Sequence, residues 1–170
     1  MVTSTENCLL LSQQLGEILL RKKWTLSAAE SCTGGGLSSA ITAIPGSSQW
    51  FGYGWVTYAN QAKQRLLNVS PKTLEDHGAV SEEVVLEMAL GALKVSESNI
   101  AVAISGVAGP SGGTAEKPVG SVWFAFVSSS RKIAKFQCFQ GNREEVQAQA
   151  VQAAFWGLLD LLDKEEKNTV

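Results

Sequence analysis

Ser48, Tyr58 and Lys63 are the residues of this 170-residue chain whose types and spacing best suit chemistry. Ser48 lies in Gly46-Ser47-Ser48-Gln49-Trp50-Phe51, with Tyr58 and Lys63 a short distance on. A serine in a glycine-preceded turn, followed by a tyrosine and a lysine, supplies the parts of a nucleophilic hydrolase. Serine attack needs a base for the hydroxyl proton. The chain has one histidine, His77, so a Ser-His-Asp arrangement would rest on that residue alone. A lysine kept neutral by burial can take the proton instead, which points to Ser-Lys chemistry. A turn serine beside a surface lysine fits the same residues.

Three further segments suit ligand contact. Glu30-Ser31-Cys32-Thr33-Gly34-Gly35-Gly36 reads as a strand end passing through hydroxyls and glycines into a helix start, where free N–H groups and a positive dipole end favour an anion. The run matches neither the P-loop nor the dinucleotide fingerprint, and a plain turn capped by Ser31 or Thr33 fits it as well. Ser105-Gly106-Val107-Ala108-Gly109-Pro110-Ser111-Gly112-Gly113-Thr114 follows an apolar run, the position at which α/β folds place their sites. Arg143 falls at the start of the last helix, where the dipole disfavours a cation. It therefore calls for an anionic partner, either a ligand or a carboxylate such as Glu144. His77 reads as a helix-end or turn residue with no chemical role.

The elements that must hold these residues alternate along the chain. Helices are predicted over about 4–23, from Gly34 to about Ile44, over Gln61–Leu67, from Ser70-Pro71, over Ser81–Val95 and from Asn142 onward. Ser70 with Pro71 marks one start, and Asn142 with Glu145 forms a capping box at another. Strands are predicted at Thr25–Ala29, Tyr53–Tyr58, Ile100–Ser105, Val119–Val127 and Ile133–Gln140, the last two as a hairpin. Strands mixed with helices throughout imply an α/β layered fold, and no repeat or linker divides residues 1–170 into more than a single domain.

Composition narrows the function classes. The chain is 45% hydrophobic and 18% charged, the balance of a soluble globular domain, and no apolar stretch reaches the roughly 20 residues of a membrane span. A net charge of −2 argues against a nucleic-acid partner. Cys8, Cys32 and Cys138 are widely spaced and odd in number, which suits a reducing compartment and makes neither a disulfide framework nor a zinc site. With no basic-then-apolar leader, a cytoplasmic location is expected.

The blocks Ala29-Glu30-Ser31-Cys32-Thr33-Gly34-Gly35, Pro45-Gly46-Ser47-Ser48 with Tyr53, Tyr58-Ala59-Asn60 with Lys63, His77-Gly78-Ala79-Val80-Ser81, Ser105 to Gly113 and Pro118-Val119-Gly120 occur in that order. Together they resemble the CinA C-terminal domain family over about Leu9 to Leu162. The resemblance implies a single-domain three-layer α/β/α sandwich with a mixed sheet. It also implies an amidase that hydrolyses the carboxamide of nicotinamide mononucleotide to nicotinic acid mononucleotide and ammonia. Carried over by residue, it makes Ser48 the nucleophile, Lys63 the base and Tyr58 a third member that orients Lys63 or relays the proton; Ser31 is the next serine to consider should Ser48 prove dispensable. It further implies substrate contacts from Ser31, Thr33, Gly34, Gly106, Gly109 and Arg143, with no metal and no cofactor. N–H groups near Ser47 to Gln49 are the expected oxyanion donors, and Trp50, Phe51 or Tyr53 the aromatic residues able to stack on the pyridinium. The expected partners are this small-molecule substrate and further copies of the chain in a homo-oligomer, with no nucleic acid and no membrane. A non-catalytic nucleotide-binding or regulatory module is the competing class.

Overall fold

Two buried apolar runs build the centre of the sheet. β1 (Leu26–Glu30) is buried at every position and β3 (Ile100–Gly106) at all but the last, which requires cover on both faces. β1 lies between β2 (Phe51–Val56) and β3 and runs parallel to both. β4 (Ser121–Ser128) and β5 (Lys132–Cys138) continue the sheet as an antiparallel hairpin, giving the order β2-β1-β3-β4-β5. The computed structural model describes residues 4–167.

Alternation along the strands assigns each face to a helix layer. Leu26, Ala28, Ile100, Val102, Phe124 and Phe126 face α1 (Ser4–Lys22), α2 (Gly36–Thr42) and α6 (Arg143–Lys167). Ala29, Ala101, Ala103, Ala125 and Val127 face α3 (Asn60–Leu67), α4 (Pro71–His77) and α5 (Glu82–Ser96). The result is the three-layer α/β/α sandwich with a mixed sheet. Each fully buried leucine or phenylalanine contributes on the order of 1.5–3 kcal/mol, so both cores are stability-bearing. Gly157 lets α6 lie flat on the sheet, since a Cβ there would meet the Phe126 ring at 2.0 Å.

Several helix ends follow their sequence signals. Ser70 Oγ accepts from Thr73 N at 3.3 Å with Pro71 opening α4, and Asn142 and Glu145 exchange both capping-box bonds at 2.7 and 3.1 Å. The second strand differs from expectation, starting at Phe51 and ending at Val56. A one-turn 3-10 helix, Ser47–Gln49, leads into it. Beyond Val56, Thr57 N still bonds Glu30 O at 2.8 Å, but the chain then turns into α3.

The connections set the site. From β1 the chain crosses through α2 to β2 on one side, then through α3, α4 and α5 to β3 on the other. Such a reversal opens a crevice at the carboxyl ends of the two diverging strands. Ser31 follows β1 there, and the glycine-rich loop at 107–118 follows β3.

Candidate active site

Lys63 sits in the middle of α3 on the face turned to the sheet, with 1% of its surface exposed. Its Nζ lies 3.1 Å from Ser31 Oγ, 2.8 Å from the Thr57 carbonyl oxygen and 3.4 Å from that of Tyr58. Burial lowers its pKa to about 8, against a smaller upward pull from Cys32. A neutral amine in this position donates its two hydrogens to the two carbonyls. Its lone pair then faces the Ser31 hydroxyl, the arrangement of a base and its nucleophile.

The Ser31 turn is held from several sides. Ser31 N donates to Ile104 O at 2.9 Å, continuing the β1–β3 ladder. Gly34 and Gly35 take φ of 58° and 96°, conformations costly for other residues, and fold the chain back into α2. Gly35 is the N-cap and has no side-chain oxygen to offer. The cap comes instead from Glu30, fully buried at the end of β1. Its Oε2 accepts from Thr33 Oγ1 (2.6 Å) and Leu37 N (3.0 Å), and its Oε1 from Ser38 N (2.8 Å) and Ser38 Oγ (2.7 Å). From α6, Gln147 Nε2 donates to Cys32 O at 2.8 Å. Burial, with a further push from Glu30, raises the neighbouring Cys32 thiol to about 12, so that sulfur is no rival nucleophile.

One turn before Gln147, Arg143 reaches across the crevice. Nη1 donates to Gly109 O and Nη2 to Tyr58 Oη, both at 2.8 Å. Both partners are neutral, so the guanidinium charge is available to an anion. Arg143 also lines an open pocket of about 690 Å³ with Ala108, Pro110, Val119, Gly141, Asn142 and Glu144. It thereby links that pocket to Tyr58, whose carbonyl bonds Lys63. Among the described residues no group of three His, Cys, Asp or Glu is placed to hold a metal ion.

Residues 10–162 match the CinA C-terminal domain. The chain belongs to the CinA C-terminal domain family. It is 52% identical over 141 residues to nicotinamide-nucleotide amidohydrolase PncC of Escherichia coli K12, which spans 82% of this chain and 86% of that protein. It is 50% identical over 151 residues to the PncC of Pseudomonas putida, spanning 89% and 94% respectively. A solved CinA superfamily protein from Klebsiella pneumoniae 700603 superposes with a TM-score of 0.89 at 39% identity, covering 92% of this chain and 98% of that one.

Within this CinA domain, the residues singled out from sequence divide into two groups. Ser31, Thr33, Gly34, Tyr58, Lys63, Gly106, Gly109 and Arg143 all lie at the carboxyl end of the parallel strands. The Thr33 hydroxyl is committed to Glu30, however, and the α2 amides expected to receive a ligand anion are occupied by the same carboxylate. Ser48 is not brought to Lys63. It is exposed in the 3-10 turn before β2, whereas Lys63 lies beyond the end of that strand, and a six-residue strand separates its ends by roughly 17 Å. The Ser47 to Gln49 amides share that remote end. Trp50 is a core residue at 2% exposure against α1, Phe51 packs on the same core, and Tyr53 stacks on Trp55 at 5.5 Å on the edge strand. Glu30, Thr57 and Gln147 are site residues that sequence reading left without a role. A carboxylate ending an apolar strand was a signal for Glu30, and the i,i+4 spacing from Arg143 was one for Gln147.

Proposed function

We propose that this protein is an amidase that converts nicotinamide mononucleotide to nicotinic acid mononucleotide and ammonia, with Ser31 as nucleophile and Lys63 as general base. The observation that carries the reading is the buried 3.1 Å contact between Lys63 Nζ and Ser31 Oγ. The activity named for the PncC relatives, at 50–52% identity, supports the substrate.

Ser31 Oγ attacks the carboxamide carbon while neutral Lys63 takes the hydroxyl proton. The tetrahedral intermediate collapses as the lysine ammonium returns that proton to the departing nitrogen, releasing ammonia and leaving a nicotinoyl ester on Ser31. Water, deprotonated by Lys63, then cleaves the ester and restores the serine. We assign stabilisation of the developing oxyanion to backbone N–H groups in the turn after Ser31, a contribution of about 3–4 kcal/mol when one such donor is removed elsewhere. Arg143 takes the 5′-phosphate in the adjoining pocket, and Tyr58, bonded to Arg143, orders the wall between the two. A pure binding module has no use for a lysine desolvated onto a serine, which favours the enzyme over the regulatory reading.

The test measures ammonia release from nicotinamide mononucleotide by wild type, Ser31→Ala and Ser48→Ala. Ser31→Ala is expected to lose at least about a thousandfold in kcat with the fold intact, and Ser48→Ala to stay within about threefold of wild type. The opposite ranking would return the nucleophile to Ser48, reached through a neighbouring subunit.

A further inference from the structure

We propose that Glu30 is a positioning residue of the reaction: its buried carboxylate locks the turn that carries Ser31 so that Oγ stays on Lys63. The inference rests on Ser31 being the nucleophile. The Glu30 carboxylate makes no hydrogen bond to Ser31 Oγ or Lys63 Nζ, and its four bonds are all directed into α2 and the turn. It acts through the backbone rather than on the substrate.

The argument follows from what holds the turn's two ends. At its start, β1 is paired on both sides, with Glu30 opposite Val56 and Ile104, so the backbone entering Ser31 is fixed. At its far end the N-cap is a glycine with no capping oxygen, and α2 is only 7 residues long. A short helix of this kind has little stability of its own, so its placement depends on whatever satisfies its first amides. Glu30 does so by reaching from the strand to Leu37 N and Ser38 N, closing Ser31–Gly36 into a tied loop. Thr33 Oγ1, in the middle of that loop, is tied to the same carboxylate. Released from Glu30, a segment with two positive-φ glycines keeps its own turn bonds, Gly34 N to Ser31 O and Gly36 N to Thr33 O. Between Ser31 and α2 it is then tied to the rest of the fold by the burial of Cys32 and the Gln147 bond to Cys32 O, with no direct tie from the β1 carboxylate to the first amides of α2. A shift of about 1 Å at a nucleophile is enough to cost on the order of a hundredfold in rate.

Glu30→Gln is the discriminating variant because each carboxylate oxygen faces an obligate N–H donor. A carboxamide presents an NH₂ to one of them, so one anchor is lost in an isosteric side chain. Steady-state kinetics with nicotinamide mononucleotide and thermal melting are measured for wild type, Glu30→Gln, Ser38→Ala and Ser31→Ala. The expected result is a cooperative melt for Glu30→Gln, a kcat lower by roughly 30- to 300-fold, and a KM within about threefold of wild type, since Arg143 and its pocket are untouched. Ser38→Ala removes only the hydroxyl donor to Oε1 and is expected to lower kcat by about 3- to 10-fold with KM unchanged. A folded Glu30→Gln with wild-type kcat overturns the role of Glu30 while leaving the Ser31 reading in place. Should Glu30→Gln fail to fold, Ser38→Ala decides: a wild-type kcat overturns the proposal, and a kcat loss at constant KM supports it. An active Ser31→Ala removes the nucleophile on which the proposal stands and overturns it separately.

Discussion

The pH dependence of catalysis follows from the burial of Lys63. Its ordinary pKa of 10.5 is lowered to about 8, chiefly by desolvation where its amine is buried against Ser31 and the Thr57 carbonyl. The neutral, reactive amine is then about a tenth of the population at pH 7 and about nine-tenths at pH 9, against roughly one part in 3,000 at pH 7 for an unshifted lysine. Burial thus multiplies the competent base at neutral pH by roughly 300-fold. The expected profile of kcat/KM is a single rising limb with its midpoint near pH 8, and roughly a tenfold gain between pH 7 and pH 9. The substrate phosphate, with a second pKa near 6, has finished titrating below this window. Ammonia release measured from pH 6.5 to 9.5, corrected for spontaneous loss at each pH, gives the limb directly. A limb centred at pH 10 or above, or a flat profile from pH 7 to 9, would refute a desolvated lysine base. The same shift acts on stability. Between pH 8 and 10.5 the unfolded chain holds a proton that the folded chain has released, so stability rises with pH across that window, by up to about 3 kcal/mol. Below pH 8 the folded state carries the full cost of the buried charge.

Two substitutions separate catalysis from binding. Lys63→Arg is expected to be nearly as inactive as Lys63→Ala, because a guanidinium keeps its charge but cannot release a proton; an active arginine variant, read by ammonia release, would make Lys63 a binding residue. Arg143→Ala is expected to raise KM for the mononucleotide by roughly 10- to 150-fold, the equivalent of a charge-assisted contact of about 1.5–3 kcal/mol. It is expected to leave KM for the dephosphorylated nucleoside within about threefold. Equal weakening of both would show that Arg143 does not read the phosphate. With the α2 amides already taken by Glu30, the anion site would then have to lie elsewhere along the glycine-rich loop.

Much of the frame is legible along the chain because it is decided by neighbours in sequence. The Ser70-Pro71 and Asn142–Glu145 caps satisfy amides three residues away, so the residues that start α4 and α6 announce themselves. The apolar run at 100–105 reads as a doubly covered strand because both its faces must be dry. The block-by-block resemblance also identified the family, since it depends on residue types in order and not on their contacts. Strand ends were less legible: Thr57 and Tyr58 have strand-favouring side chains, yet their carbonyls turn toward Lys63.

Which serine meets the lysine is a different kind of question. Ser48 precedes Lys63 by fifteen positions, and Ser31 precedes it by thirty-two. Nearness in sequence therefore favoured Ser48. But β2 lies between Ser48 and Lys63 and carries them apart by its own length, whereas parallel pairing of β1 with β2 sets the ends of those strands side by side, about 4.8 Å apart. Ser31 follows one end, and Thr57, whose carbonyl holds Lys63, follows the other. The same tertiary packing removes Lys63 from water and so sets its basicity, and it brings Glu30 under the amides of α2. Sequence alone determined the elements and the inventory of reactive groups, because those depend on local propensity and residue type. The sheet order determined which of those groups touch, because contacts between strand ends are made across the fold and leave no periodic trace along the chain.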